Sequence, residues 1–234
     1  MQKDFQGEQM PDVVAIPASD ALTESVERFL TAVEQRDRNA AAAYIELVDH
    51  LTERLINLFL VEPAELTGIT GARKRAVDFA ASTASKASHM LTRQIYRKRS
   101  PEELEPVARN VREIFWPAEE ANGQFNCIAF PVTPEYAERF RRAIQVCDEG
   151  NGSADMELVA SVMDELADGI IEYFFVRNSR EVKIGYVIQK ALNAGVDTTL
   201  KAVHAVNHRV LRDLDNKALK HFMGRHRDLI RQRD

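Results

Sequence analysis

The feature that most constrains this chain is an internal repeat. Sliding the sequence against itself by 115 positions lays residues 49–97 on 164–212 without a gap, and twelve of the 49 positions are identical. The apolar matches include Leu51/Leu166, Ile56/Ile171, Phe59/Phe174 and Val61/Val176. The polar ones include Asp49/Asp164, Thr83/Thr198, Lys86/Lys201 and His89/His204. Unrelated amphipathic helices share hydrophobic phase, but phase alone does not generate matched polar residues, so duplication is the better reading. The register continues to Leu104/Leu219 and Arg112/Arg227, and upstream a shift of 111 aligns Glu27-Arg28-Phe29 with Glu138-Arg139-Phe140.

Within each copy the apolar period is helical. One helix is expected over about 21–35 and again over 134–147, with Ser19 and Thr133 as N-caps and Pro134 at the first helical position. A second is expected over about 40–60 and 154–175, the latter capped by Ser153. A long third helix runs to about Lys98 and, in the second copy, from about Arg180 to Leu214. A short fourth follows at Pro101 to Phe115 and Asn216 to Arg231, where Ser100 and Glu103 form a capping box. Convincing strand alternation is missing, and the nearest candidates, Asp12 to Ile16 and Cys127 to Val132, are short. The expected fold is all-α: two tandem antiparallel bundles, each of three long helices and one short one. They occupy 19–116 and 133–234, with a flexible segment over 1–18 and a joining segment over 117–132.

Composition narrows the class. Hydrophobic residues at 45% and charged residues at 29% describe a globular chain with a substantial core. The N-terminus lacks a signal-peptide pattern, and no apolar run approaches the roughly 20 residues of a bilayer span, so a cytoplasmic protein is expected. Cys127 and Cys147 lack metal-ligand spacing and read as reduced thiols. The net charge of −5 argues against a dedicated nucleic-acid binder, although residues 201–234 hold nine Lys/Arg against four Asp.

Two duplicated clusters carry what chemistry there is. The first joins Asp49, Glu53 and His89, repeated as Asp164, Asp168 and His204; carboxylates four residues apart share a helix face, and a facing imidazole would complete a metal-ligand set. The competing reading is an interhelical carboxylate–ammonium pair, Asp49 with Lys86 and Asp164 with Lys201. The second is a cationic stripe on the third helices: Arg75, Lys86, Arg93 and Arg97, then Lys190, Lys201, His208 and Arg212. Such a stripe suits an acidic partner, a phosphate or nucleic acid, and equally a solvated flank. Beside it lies a face of small side chains, Ala72, Ala76, Ala80, Ala84 and Ala87, that permits close helix approach. No nucleophile-elbow, zinc-protease or phosphate-loop motif occurs.

The tandem three-helix plan resembles that of PhoU-type regulators in architecture alone. Where those proteins carry an acidic metal-binding motif on the third helix, this chain has Thr83-x-x-Lys86-x-x-His89 and Thr198-x-x-Lys201-x-x-His204, so no function is carried over. The leading expectation is a non-enzymatic regulatory or adaptor protein without a cofactor, a monomer or homodimer that binds a protein partner through helical surfaces. The alternatives are a metal-binding protein or metal-dependent enzyme using the Asp/Glu/His clusters, and a nucleic-acid-associated protein using the basic stripes.

Overall fold

The computed structural model of the chain describes residues 12–66, 68–120 and 123–232. The first half runs β1 (Asp12–Pro17), α1 (Asp20–Glu34), α2 (Ala40–Ile56), a π-helical turn (Asn57–Val61), α3 (Glu62–Leu66), α4 (Gly71–Tyr96), α5 (Pro101–Ile114) and β2 (Phe115–Glu120). The second runs β3 (Gly123–Pro131), α6 (Pro134–Asp148), α7 (Met156–Ile171), a π-helical turn (Glu172–Val176), α8 (Arg177–Arg180), α9 (Tyr186–Val210), α10 (Asn216–Arg225) and β4 (Ile230–Gln232), with 3-10 turns on either side of α10. Both π turns sit in the same place, 115 residues apart.

Local chemistry sets the helix starts. Ser19 accepts from the Leu22 amide and Thr133 from the Tyr136 amide, each satisfying one orphan N–H of its helix. Ser100 and Glu103 form the expected capping box, with Pro101 at the first position. These two caps, Ser19 and Thr133, lie 114 residues apart, so the upstream alignment at 111 is displaced by almost one helical turn. The expected Ser153 cap is not used. α7 begins at Met156, and the Ser153 amide instead donates to Asn216 Oδ1 at 2.9 Å.

The fold is mostly helical, but a four-stranded antiparallel sheet in the order β2-β3-β1-β4 amends the all-helical expectation. Strand β1 pairs with β3 so that Ala15 faces Ala129, flanked by Val14↔Phe130 and Ile16↔Ile128. The outer strands cross over: β2 pairs with β3 through Phe115↔Ile128, and β4 with β1 through Ile230↔Val14. One face, with Val14, Ile16, Ile128 and Phe130, enters the main core, while Val13, Ala15, Ala118, Cys127 and Ala129 form a smaller apolar cluster on the other. With both faces buried, the strands read as continuous apolar runs, and the alternation that announces a half-exposed strand is missing.

The main hydrophobic core draws on helices of both halves without a break. Helices α4 and α9 lie antiparallel: Arg73 near the start of α4 pairs with Asp213 beyond the end of α9 at 3.1 Å, and Arg99 beyond the end of α4 donates to the Lys183 carbonyl. A Cβ at Gly195 of α9 would stand 2.6 Å from Leu91 Cδ1 of α4, so the small residue sets how closely the helices approach. A Cβ at Gly169 of α7 would stand 2.7 Å from the ring of Phe130. That ring is held by Tyr173 at 5.0 Å and Phe174 at 5.6 Å between centroids.

These two glycines predict opposite outcomes. At Gly195→Ala the terminal methyl of Leu91 can rotate away, and the gain in helix propensity of up to ~1 kcal/mol leaves the variant neutral or slightly more stable. At Gly169→Ala an aromatic ring locked between two others must move, so overpacking of about 1–3 kcal/mol outweighs the same gain. Urea denaturation checks this: the midpoint should fall for Gly169→Ala alone, with the slope unchanged in both.

Candidate functional site

The middle of the molecule is not filled. Helices α2, α4, α7 and α9, with the two π turns, surround a partly open cavity of about 140 Å³. Its walls are aliphatic and aromatic, with Phe59 and Phe174 contributed from equivalent places in the π turns. Among the described residues no Asp, Glu, Lys, Arg or His lines it, and its polar side chains are Tyr44, Thr52, Ser88, Thr92, Tyr96, Thr199 and Asn207. Thr52 Oγ1 is 2.7 Å from both the Val48 carbonyl and Ser88 Oγ. The Tyr96 hydroxyl is buried with no hydrogen-bond partner of acceptable geometry.

Polar clasps join the helices that form the cavity's walls, one of them through the wall residue Asn207. Between α2 and α4, His89 Nδ1 lies 3.1 Å from both oxygens of Asp49. Between α7 and α9, His204 Nε2 lies 3.0 Å from Asp168, while Asp164 accepts from Asn207 at 2.8 Å and meets His208 Nε2 at 2.8 Å. The interhelical carboxylates therefore take imidazole and amide partners. Lys86 is exposed and makes no ion pair among the described residues, and Lys201 pairs along its own helix with Asp197 at 3.1 Å. The expected Asp49–Lys86 and Asp164–Lys201 pairs do not form, because the imidazole reaches the carboxylate across the seam while each lysine projects to solvent.

The proposed metal-ligand sets are brought together only in part. Glu53 is exposed and is not joined to the Asp49–His89 pair, and His204 meets Asp168, one turn from Asp164. Among the described residues, no group of three or more His, Cys, Asp or Glu side chains stands at metal-ligating distance. An Asp–His pair could orient a general base, but among the described residues no hydroxyl or thiol hydrogen-bonds any of these imidazoles. Both cysteines are buried, and burial pushes the Cys147 thiol up to about 11, keeping it protonated.

The cationic stripes lie where the third helices face solvent. Arg75, Lys86, Arg93 and Arg97 are exposed, as are Lys190, Lys201 and Arg212, while the His208 side chain is 43% exposed and tied to Asp164. Four large apolar side chains share these helices: Phe79 and Met90 on α4, and Tyr186 and Val187 at the start of α9, each at least 62% exposed. Among the described residues, no helix is long and apolar enough to cross a membrane. No protein-family model matches the chain, and comparison with curated proteins and with solved structures returns no match.

Sequence reasoning missed the cavity, whose walls read as ordinary core, and one buried imidazole. His226 lies fully inside, stacked on Phe59 at 5.3 Å and tilted against Phe222 at 4.9 Å. Its Nδ1 donates to the Phe222 carbonyl at 2.8 Å, and Nε2 has no partner. Desolvation is the largest effect and lowers its pKa from 6.5 to about 4.

The lowered value means the unfolded chain binds a proton that the folded chain refuses between pH ~6.5 and ~4. Stability therefore rises with pH across that window, is fully present above it, and is lost as pH falls. A shift of this size corresponds to roughly 3 kcal/mol. Denaturant titrations at several pH values should show this loss in the wild type and a shallower acid slope in His226→Phe; equal slopes would disprove the assignment.

Proposed function

We propose that the chain is a duplicated helical scaffold acting as a non-enzymatic regulatory or adaptor protein, and that it docks on an acidic protein partner through the outer face of α4 and α9. The duplication is supported by the 115-residue offset, by the matching π turns, and by a sheet register in which Phe115↔Ile128 and Ile230↔Val14 are equivalent pairs. On this reading an internal two-fold passes near Ala15 and Ala129, and the joining segment belongs to the seam between the copies.

The observation that carries the docking reading is the mixture of exposed cations and exposed apolar side chains on two adjacent helices. α4 has five Lys/Arg against one Asp and α9 three against one, within a chain of net charge −5. Both acids are occupied, Asp78 by Lys74 and Asp197 by Lys201. Phe79 follows Arg75 by four positions, Met90 follows Lys86 by four, and Tyr186 precedes Lys190 by four, so each apolar group shares a helix face with a cation. Aromatic and Met anchors ringed by charge are the composition of a protein interface. The surrounding field would steer an acidic surface onto them.

The metal reading has less support, since Glu53 lies outside the Asp49–His89 pair. The nucleic-acid reading shares the same cations, and it is separated from the protein reading by the apolar anchors.

Capture experiments test this. The purified full-length chain and a Lys86→Glu/Arg93→Glu/Lys190→Glu/Lys201→Glu variant are each used to capture partners from native, nuclease-treated lysate. A protein retained by the wild type should be lost in the variant and released by about 0.5 M salt, where screening leaves a Debye length of a few ångströms. Phe79→Ala/Met90→Ala should weaken the same capture at least tenfold. Equal retention by wild type and charge-reversed chain would overturn the reading. So would dependence on nucleic acid, or a stoichiometric metal lost in Asp49→Ala/Asp164→Ala.

A further inference from the structure

The central cavity supports a second inference, independent of the outer face of α4 and α9. We infer that it is a binding site for a small, uncharged, largely apolar ring compound carrying one hydrogen-bond donor, with Ser88 Oγ as the acceptor. Three observations carry this. First, size: about 140 Å³ matches the apolar cavity of ~150 Å³ that stays dry and takes up benzene, so a single ring fits and a long acyl chain does not. Second, charge: with no ionisable acid or base of Asp, Glu, Lys, Arg or His type in the walls, an ionic ligand would lose its hydration without compensation.

Third, the hydroxyl chain has a direction. Thr52 has one hydroxyl proton, and the Val48 carbonyl, which can only accept, takes it at 2.7 Å. The 2.7 Å contact between Thr52 and Ser88 must then be made by the Ser88 proton, donated to Thr52 Oγ1. Ser88 Oγ is left with lone pairs and no proton to give, and it belongs to the cavity wall. A ligand hydroxyl or ring N–H satisfies that acceptor, while a ligand carbonyl does not.

The interhelical clasps Asp49–His89 and Asp168–His204 tie α2 to α4 and α7 to α9, and Ala84, Ala87, Ala167 and Gly195 are among the residues lining the space between them.

The probes are benzene, phenol and benzoate, titrated calorimetrically into the full-length protein, with melting temperature as a parallel readout. Phenol should bind saturably, at least fivefold tighter than benzene, and raise the melting temperature in proportion to its free concentration. Benzoate should show no saturable binding. In Ser88→Ala the preference of phenol over benzene should collapse to within twofold while benzene binding persists. In Ala87→Phe/Ala167→Phe, which fills the space, binding of both neutral probes should be lost; far-ultraviolet circular dichroism and a retained cooperative melt establish that this variant is folded, and a single Ala167→Leu variant serves if it is not. Absence of saturable phenol and benzene binding to the wild type overturns the proposal. So does benzoate binding as tightly as phenol, undiminished binding to the folded filled variant, or a phenol preference that survives Ser88→Ala.

Discussion

The pairing of β1 with β3 is the constraint on which the rest of the molecule depends. Strand β1 lies between β3 and β4, and β3 lies between β1 and β2. Each inner strand thus takes both of its partners from the opposite half, and each outer strand pairs across the seam. Backbone N–H and C=O groups buried in such a sheet must be paired, so neither half can complete its hydrogen bonding alone. The halves are interlocked by the main chain before any side chain is considered. The pairings of β1 join residues more than a hundred positions apart, as in Val14 with Phe130 and with Ile230, while β2 and β3 form a hairpin. Their loop-closure cost is recovered by burying both faces of β1 and β3 together.

From this seam the helices inherit their positions. Phe130 carries the sheet into the helical layer, where its ring meets Tyr173 and Phe174 and occupies the space that Gly169 leaves open. Phe174 is at once a neighbour of the sheet and a wall of the cavity. On the far side of that cavity α4 and α9 close the second seam, drawn together at Leu91 and Gly195. Sheet pairing and the Asp–His clasps tie together the elements around this space, and Ala84, Ala87, Ala167 and Gly195 are among the residues lining it. Interiors normally pack to crystal density, so a space of about 140 Å³ at the junction of two halves is a feature of the fold that packing alone does not produce.

How much of this was legible in the sequence follows from the range of the interactions. Ser19, Ser100 and Thr133 act on amides three residues away, and all three caps are where the chain announces them. Helix periodicity is equally local, and the long third helix was visible within a few residues of its ends. Asp12 to Ile16 and Cys127 to Val132 stood as the nearest strand candidates and belong to β1 and β3, but residues 13–16 and 127–130 are apolar on consecutive positions, a pattern that short buried strands share with core helix. The π turns have no residue signature, though Phe59/Phe174 and Val61/Val176 already marked the matched positions. At the clasps the sequence supplied the right carboxylates and His89 but gave Asp49 and Asp164 the wrong partner. Asp164 meets His208 and Asn207, while His204 shifts to Asp168, a difference of one helical turn that a repeat offset cannot resolve.

The two proposed sites share their structural parts. Ser88 belongs to the cavity wall, while its neighbour His89 is clasped to Asp49 on the outer edge of α4, three residues from Lys86. Gly195 lines the cavity on α9, two residues before Asp197, which holds Lys201. A molecule that spreads the cavity would press on α4 and α9, which meet at Leu91 and Gly195. The cations and apolar anchors on the outer face ride on those same two rods. Binding inside and docking outside would then be linked to the extent that each favours a different helix spacing, and linkage of this kind is reciprocal: a partner that fixes the spacing of α4 and α9 must alter ligand affinity by the same factor by which the ligand alters the partner's.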